Sequence, residues 1–329
     1  MFLTDRKMGR RFTKGNNIAF LTKWITLAII VLISSGISLA QKREFTTPKL
    51  YSDTIFKTRA WILGGATTVL WAGSVAGLNQ LWYANEPRSK FHFFDDSKDW
   101  MQLDKAGHFM TSWSIGYYYI DLMRASGFNR KTSIWTGGFM GSFYLAGIEV
   151  LDGFSSTWGF SVTDFTANTA GSFAVIIQEL AWNEQRIIPK ISYHPSRYAQ
   201  YRPDLLGSNF GERMLKDYNG QTYWYSANIH SFLKDESKFP RWLNFAVGFG
   251  ADGMTGGVEN PQFDNNGNPI PKFIRHRQFY ISLDVDLTKI RTRKKWLRTL
   301  FKTVALIKLP FPTIEFNALQ KVKFHPIYF

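Results

Sequence analysis

The 329-residue sequence contains no cysteine. That absence excludes disulfides, thiolate zinc sites, iron–sulfur clusters and cysteine nucleophiles, and with them the lipid-bearing cysteine of a bacterial lipoprotein. The sequence also lacks a G-x-S-x-G elbow, a P-loop and the H-E-x-x-H spacing of zinc hydrolases. We therefore assign no cofactor, no metal ligand and no catalytic residue from motifs.

An even distribution of charge is lacking as well. The formal net charge is +15, of which residues 1–40 carry +5 and residues 288–329 carry +9, so that residues 41–287 are nearly neutral. A nucleic-acid-binding protein is expected to carry a basic stripe on its folded body, together with a recognisable zinc-finger or RNP pattern. Neither is present, and the sequence predicts no nucleic-acid partner.

Residues 1–40 have the order of a secretory signal peptide. Basic residues precede an apolar run over 24–33, and the small residues Ser38 and Ala40 follow at the spacing of a cleavage site. We predict cleavage after Ala40 and export to the cell envelope. An uncleaved membrane anchor is the alternative, and Met8 is an alternative start.

Four apolar segments predict helices over 60–83, 107–123, 132–151 and 163–182. The first has no charged residue and is long enough to span a bilayer. The expected fold is therefore mainly α, with a bundle of about four apolar helices within residues 41–186. Periodicity alone does not separate membrane spans from a buried soluble bundle, and we favour membrane embedding or close membrane association.

Residues 187–329 are predicted to form a small, Tyr-rich α+β or β extension. The segment 278–287 alternates apolar and polar residues as a strand does, and 244–250 and 313–319 are further candidate strands. The terminal Phe329 after a strand is suggestive of an outer-membrane β-protein. The outer membrane or the periplasmic face is the favoured location, with the inner membrane as the alternative.

A basic amphipathic helix is predicted over 291–308. Basic helices with Trp and Phe on the apolar side lie on membrane surfaces, which makes membrane lipids or other envelope components the expected partners. The alternative is a helix packed on the β unit with a solvated basic face. The oligomeric state is not indicated. The membrane-surface candidates are Lys294, Lys295, Trp296, Arg298 and Phe301.

Polar residues occur in pairs at the ends of the second, third and fourth predicted helices. Spacings of three or four residues put each pair on one helix face, and charged groups inside apolar helices must pair, bind an ion or face water. We expect the three pairs to converge at one end of the bundle. The pairs are Asp104 and His108 at the entry to the second helix, Glu149 and Asp152 in the third, and Asp164 and Asn168 in the fourth, and Lys105 follows Asp104.

Four interpretations fit this set of residues. The side chains pair internally and fix the loop geometry, with Asp164 near the cap of its helix. Alternatively, the carboxylates and His108 hold a cation, although no metal spacing supports it. Lys105 and His108 could also bind an anionic lipid or phosphate head group, with Asp152 and Asn168 as further ligand-binding candidates. The fourth interpretation is hydrolysis with His108 as acid–base.

The runs D-K-A-G-H-F, G-I-E-V-L-D-G-F-S-S-T-W-G-F-S-V-T-D-F and A-N-T-A-G resemble the YfiM-like family, a bacterial domain of unknown function. More distantly they are similar to VanZ-type membrane proteins. The resemblance covers residues 102–178 and implies an envelope protein without assigning an activity. Family lipoproteins carry an acylated cysteine, which this chain lacks. The matching positions are Asp104, Lys105, His108, Phe109, Glu149, Asp152, Asp164, Asn168 and Gly171.

The sequence favours a non-enzymatic envelope protein with a structural or lipid-interacting role. The alternative is a lipid- or phosphate-ester-modifying enzyme, with His108, Asp104, Glu149 and Asp164 as its candidate residues. Catalysis requires that His108 and two carboxylates converge on an accessible pocket, whereas a structural role leaves them mutually paired. An accessory subunit of an envelope complex is a third hypothesis.

Overall fold

The computed structural model describes residues 54–78, 87–234 and 236–329, and of Lys295 it describes the backbone only. The predicted signal peptide, its cleavage site and the alternative start at Met8 lie outside these residues. These three predictions therefore stay predictions.

Four long helices each overlap one of the predicted apolar segments. Asn129 caps the third, with its side chain accepting a hydrogen bond from the Thr132 backbone N–H, and Ser161 caps the fourth by accepting from Asp164 N–H. Such caps satisfy backbone donors at a helix start, and they explain why these helices begin where they do. The helices are α1 (Lys57–Leu78), α2 (Leu103–Ala125), α3 (Arg130–Gly153) and α4 (Val162–Trp182).

Helices α2, α3 and α4 pack closely because glycines stand where their backbones meet. A Cβ added at Gly141 would lie 2.0 Å from the Ser112 carbonyl oxygen, and one at Gly171 would lie 2.2 Å from the Phe109 carbonyl oxygen. Apolar side chains between the three helices form the largest core cluster, joined by Ile188 from the first strand. The helical members are Trp113, Ile120, Ile134, Val175 and Ile176.

Helix α1 lies against this unit on one side only. The Arg59 guanidinium donates to the Ala125 carbonyl oxygen at 3.0 Å, and Thr67 shares a hydrogen bond with the Tyr119 hydroxyl. Among the described residues it is the one helix long and apolar enough to cross a membrane, and only 6% of its most apolar stretch is buried. Trp61 is 82% exposed. The long helices thus form a three-helix unit with an outlying fourth helix.

The second half of the described chain forms one antiparallel sheet of six strands, each paired with the next along the sequence. Three short helices connect or follow strands: α5 (Pro203–Leu206), α6 (Phe210–Lys216) and α7 (Lys295–Val304). The strands are β1 (Ile187–Tyr193), β2 (Gln221–Asn228), β3 (Leu243–Asp252), β4 (His276–Val285), β5 (Phe311–Asn317) and β6 (Lys321–Tyr328).

The prediction of a mainly α fold, with a bundle of about four helices and a small extension, is wrong. Within the described residues, seven α-helices accompany a six-stranded sheet that is as much a part of the fold as the helices. The alternation of apolar and polar residues did not predict strands β1, β2 and β6. Pro189 and Pro326 lie within β1 and β6, where proline is tolerated because both are edge strands. Residues 221–224 of β2 are buried on both faces and show no alternation.

The polarity of the two sheet faces is the reverse of that expected in water, because the exposed face is apolar and the buried face is polar. On what we term the outer face, register places Val247 beside Ile281, and Ile281 beside Ile314. The exposed apolar side chains on this face are Phe245, Val247, Phe279, Ile281, Leu283, Ile314, Phe316, Val322 and Phe324. The opposite, inner face buries polar groups, namely Lys190, Ser226, Asn244, Ser282, Asp284, Thr313 and Glu315.

The inner face is concave and closes on itself. The Lys190 ammonium of β1 lies 2.6 Å from a carboxylate oxygen of Asp284 in β4, although two strands separate them. Thr222 of β2 and Tyr328 of β6 share a hydrogen bond of 3.0 Å between their hydroxyls. Such contacts across the sheet require strong curvature, so the polar groups become buried and find partners in one another.

Candidate functional site

The polar side chains that the sequence places at three helix ends lie close together. The first turns of α2 supply Asp104, Lys105 and His108, and those of α4 supply Asp164 and Asn168. The end of α3 supplies Glu149, with a carboxylate oxygen 3.7 Å from the His108 ring. The charged side chains here form what we call the ionic cluster, which consists of Asp96, Asp104, Lys105, His108, Glu149 and Asp164. Asn168 contacts the cluster but is not a member of it.

Lys105 is the centre of the cluster. Its ammonium nitrogen lies 2.6 Å from Asp96 Oδ2, 2.8 Å from Asp164 Oδ1 and 3.2 Å from Asp104 Oδ2. Burial lowers the pKa of Lys105, but Asp104 and the hydrogen bonds to Asp164 and Asp96 outweigh it and raise that pKa above its usual value. The side chain is therefore a permanent cation that holds three carboxylates around itself.

His108 lies on the other side of the same carboxylates. Its Nε2 is 3.9 Å from Asp104 Oδ1 and 3.9 Å from Asp164 Oδ2, while its Nδ1 is 3.0 Å from Asn168 Oδ1. Burial lowers the pKa of His108, whereas Asp104, Asp164 and Glu149 raise it, and the net direction is upward. The local field around the ring is therefore negative.

The remaining carboxyls differ in how readily they ionise. Burial, only partly offset by His108, raises the pKa of Glu149 to about 8. Burial and the neighbouring Asp96 and Asp104 also raise the pKa of Asp164. Asp96 behaves in the opposite way: burial raises its pKa, but hydrogen bonds from Asp164, Lys105 and two hydroxyls lower it further than burial raises it.

Two supporting residues, Asp96 and Tyr218, were missed by the sequence interpretation. Asp96 accepts hydrogen bonds from the hydroxyls of Ser161 at 2.6 Å and Thr163 at 2.7 Å. The Tyr218 hydroxyl, from a segment between α6 and β2, donates to Asp104 Oδ1 at 2.6 Å. Asp96 stands before α2 in a loop without periodicity, and Tyr218 is 114 residues from its partner, so neither carried a usable signal.

Two other sets of predicted residues lie elsewhere. Asp152 is half-buried one turn beyond Glu149, where its charge contributes to the raised pKa of that residue. In the basic helix α7, Lys294 is exposed at the N-cap position, Trp296 is 63% exposed, and Phe301 and Arg298 are half-buried. Lys302 of the same helix pairs with Asp121 of α2, which anchors α7 on the helical unit.

The part of the chain that carries the cluster has a recognisable relative among protein families. Residues 92–179 match the family model described as "Predicted periplasmic lipoprotein (DUF2279)". The match covers less than a third of the chain and supports an envelope domain of unknown function. No curated protein and no solved structure matches the chain.

The matched segment contains every member of the ionic cluster, whereas Tyr218 and the sheet lie outside it. The family description includes a lipid anchor, but this sequence has no cysteine to carry one. The family match supports an envelope or periplasmic location and does not distinguish the two membranes. The YfiM-like and VanZ-type resemblances stay predictions.

Proposed function

We propose that this envelope protein is non-enzymatic and works in direct contact with a lipid bilayer, which covers the outer face of the sheet. The observation that carries the proposal is the inverted sheet, with apolar side chains outside and charged side chains inside. A sheet face in water is normally polar. An exposed apolar patch of this extent marks an interaction surface.

The distribution of the exposed apolar residues favours lipid over a single protein partner. They occur on the sheet, along α1 and on the packed helices, where Phe143 is 73% exposed and Ile177 is 58% exposed. A protein partner covers one patch, whereas a bilayer contacts every apolar surface at its depth. Burying one such side chain fully contributes about 1.5–3 kcal/mol, so the outer face alone supplies a substantial driving force.

Charge supports the same partner. The segment from residue 288 to the end carries a net charge of +9, and in it Lys294 and Trp296 are exposed at the start of α7. Cationic side chains attract anionic head groups, and Trp prefers the boundary between head groups and acyl chains. The apolar outer face thus complements the acyl chains of an anionic lipid surface, and the basic segment complements its head groups.

The contacts of the ionic cluster support a structural role for it. Lys105 is held by three carboxylates, and the hydroxyl groups of Ser161 and Thr163 are engaged by Asp96. This pairing supports a cluster that joins the ends of α2, α3 and α4.

Vesicle flotation of the purified full-length chain tests the proposal. We expect wild type to float with vesicles that contain anionic lipid, and the double variant Val247→Glu/Ile281→Glu to lose most of that binding, because each added charge must leave water to enter the bilayer. Gln262→Glu/Asn266→Glu, which adds the same two charges in an exposed loop, is the matched control and should float like wild type.

The dependence of flotation on salt concentration distinguishes binding through the basic segment from binding through the outer face. Binding through the basic segment weakens as salt is added because screening shortens the range of charge attraction, whereas binding through the outer face persists. Equal flotation of wild type and of Val247→Glu/Ile281→Glu contradicts the proposal. Failure of wild type to float with any vesicle also contradicts it.

A further inference from the structure

Two carboxylates of the ionic cluster divide their oxygens between Lys105 and His108. Asp164 turns Oδ1 to the Lys105 ammonium at 2.8 Å and Oδ2 to His108 Nε2 at 3.9 Å. Asp104 turns Oδ2 to the ammonium at 3.2 Å and Oδ1 to the same Nε2 at 3.9 Å. Lys105 thus fixes both carboxylates so that one oxygen of each faces one imidazole nitrogen.

The two distances of 3.9 Å are too long for hydrogen bonds. They do leave room for an ion that bonds nitrogen and oxygen ligands at about 2.0–2.2 Å. One ligand atom from each of Asp104, His108 and Asp164 lies within 4.8 Å of the other two. Three converging donors with a gap between them are the geometry of a partly closed cation site.

The orientation of the His108 ring also supports a cation site. Asn168 Oδ1 lies 3.0 Å from Nδ1, and a hydrogen bond donated there by Nδ1–H leaves the Nε2 lone pair directed at the two carboxylates. A ligating histidine usually has its second nitrogen held in this manner. Asn168 is fully buried, and its amide nitrogen has no hydrogen-bond partner among the described residues, so a polar group beside the ring is left unsatisfied.

The composition of the cluster also suits a cation, because groups that offer acceptor oxygens outnumber the basic side chains. Four carboxyl groups, from Asp96, Asp104, Glu149 and Asp164, face one lysine and one histidine in a largely buried space. Asp104 and His108 each keep 20% of their side-chain surface exposed, which gives an ion a path from solvent.

We propose that Asp104, His108 and Asp164 bind one divalent cation of the Zn²⁺ class between the first turns of α2 and α4. An imidazole nitrogen with two carboxylate oxygens suits Zn²⁺, whereas Mg²⁺ and Ca²⁺ prefer oxygen ligands alone. Asn168 orients His108, and Tyr218, which donates to Asp104 Oδ1 at 2.6 Å, orients that carboxylate. The sequence motifs assigned no metal ligand, because the three ligands come from two helices.

Metal binding by the chelator-stripped full-length protein tests this proposal. We expect wild type to retain one Zn²⁺ per chain, counted by elemental mass spectrometry after gel filtration, and to bind Mg²⁺ and Ca²⁺ far more weakly. His108→Gln and Asp164→Asn should abolish retention. Asn168→Ala should weaken Zn²⁺ affinity by about 10- to 100-fold, the usual cost of losing a residue that orients a ligand. Asp95→Asn, an exposed carboxylate next to the cluster, is the matched control and should bind as wild type does.

A second readout uses wild type alone, in case a variant fails to fold. Zn²⁺ that binds the folded state raises the thermal midpoint in proportion to the logarithm of its concentration, and circular dichroism reports the fold of each variant. The proposal is overturned if wild type retains no Zn²⁺ and shows no shift of its midpoint. It is equally overturned if folded His108→Gln and Asp164→Asn retain Zn²⁺ as fully as wild type.

Discussion

Replacement of Asp284 by Asn should lower the free energy of unfolding by about 3–5 kcal/mol, the range for breaking a buried ion pair from one side. Asp284 and Lys190 are both fully buried, 2.6 Å apart, on the inner face of the sheet. Lys308 lies in the same interior, where burial lowers its pKa to about 8 and Asp284 opposes that change. Without Asp284, the ammonium groups of Lys190 and Lys308 share a buried space in which neither is paired with a carboxylate.

Chemical denaturation in mild detergent measures this effect, with Glu236→Gln as a control. Glu236 is an exposed carboxyl, so its neutralisation should change stability by no more than about 0.5 kcal/mol. The double variant Asp284→Asn/Lys190→Met should be more stable than the sum of the single changes by about 0.5–3 kcal/mol, because it removes both charges of the pair. Strictly additive effects would show that the pair does not interact in the folded protein.

Replacement of Lys105 by Met should also destabilise the protein by about 3–5 kcal/mol. Methionine preserves most of the side-chain volume but removes the one ammonium that contacts Asp96, Asp104 and Asp164. The carboxylates then repel one another at the junction of α2, α3 and α4. We expect the loss to be largest in the presence of a chelator, where no added cation compensates for the missing charge.

Lys98→Met is the matched control for this substitution. Lys98 is exposed and lies in the same loop as Asp96, so the same change there should leave the unfolding midpoint almost unmoved. If Lys105→Met unfolds at the same denaturant concentration as Lys98→Met, the cluster does not stabilise the junction. The structural role assigned to it would then be withdrawn.

The helical part of the fold could be predicted because long apolar runs and end-capping residues are local signals. The run from Thr163 to Trp182 follows Ser161, and the structure has α4 beginning at Val162 with Ser161 as its cap. The meeting of Asp104, His108 and Asp164 followed from the same reasoning, since each lies near a helix end. Contacts such as Tyr218 with Asp104 join segments 114 residues apart, and no pattern in a single sequence encodes them.

The sheet was harder to predict because the usual alternation rule assumes water on one face. Strand β4 was recognised from its alternating Phe279, Ile281 and Leu283, but its apolar side chains are the exposed ones. Strand β2 carries apolar and polar residues on both faces, because α2 covers Tyr223 from outside while Trp224 is buried inside. Which face is solvated depends on the curvature of the sheet, and that is a property of all six strands together.

The proposed bilayer contact makes sense of the features that an ordinary soluble fold leaves unexplained. The outer face, the largely unburied α1 and the exposed Trp296 are all apolar surfaces without a covering element in the described residues. The charged inner face, by contrast, pairs Lys190 with Asp284 internally. One physical condition, a hydrocarbon environment around the sheet, accounts for both, and it offers attachment to a chain that has no cysteine for acylation.

The most direct measurement of this contact is the environment of a probe on the outer face. Because the sequence has no cysteine, Ile281→Cys and Asn266→Cys each give a single site for a polarity-sensitive fluorophore in the full-length protein. With anionic vesicles, we expect the probe at position 281 to shift to shorter wavelength and to be quenched by lipids that carry a quencher on their acyl chains. The probe at 266 should do neither. Equal, water-like emission and equal quenching at both positions would contradict the account.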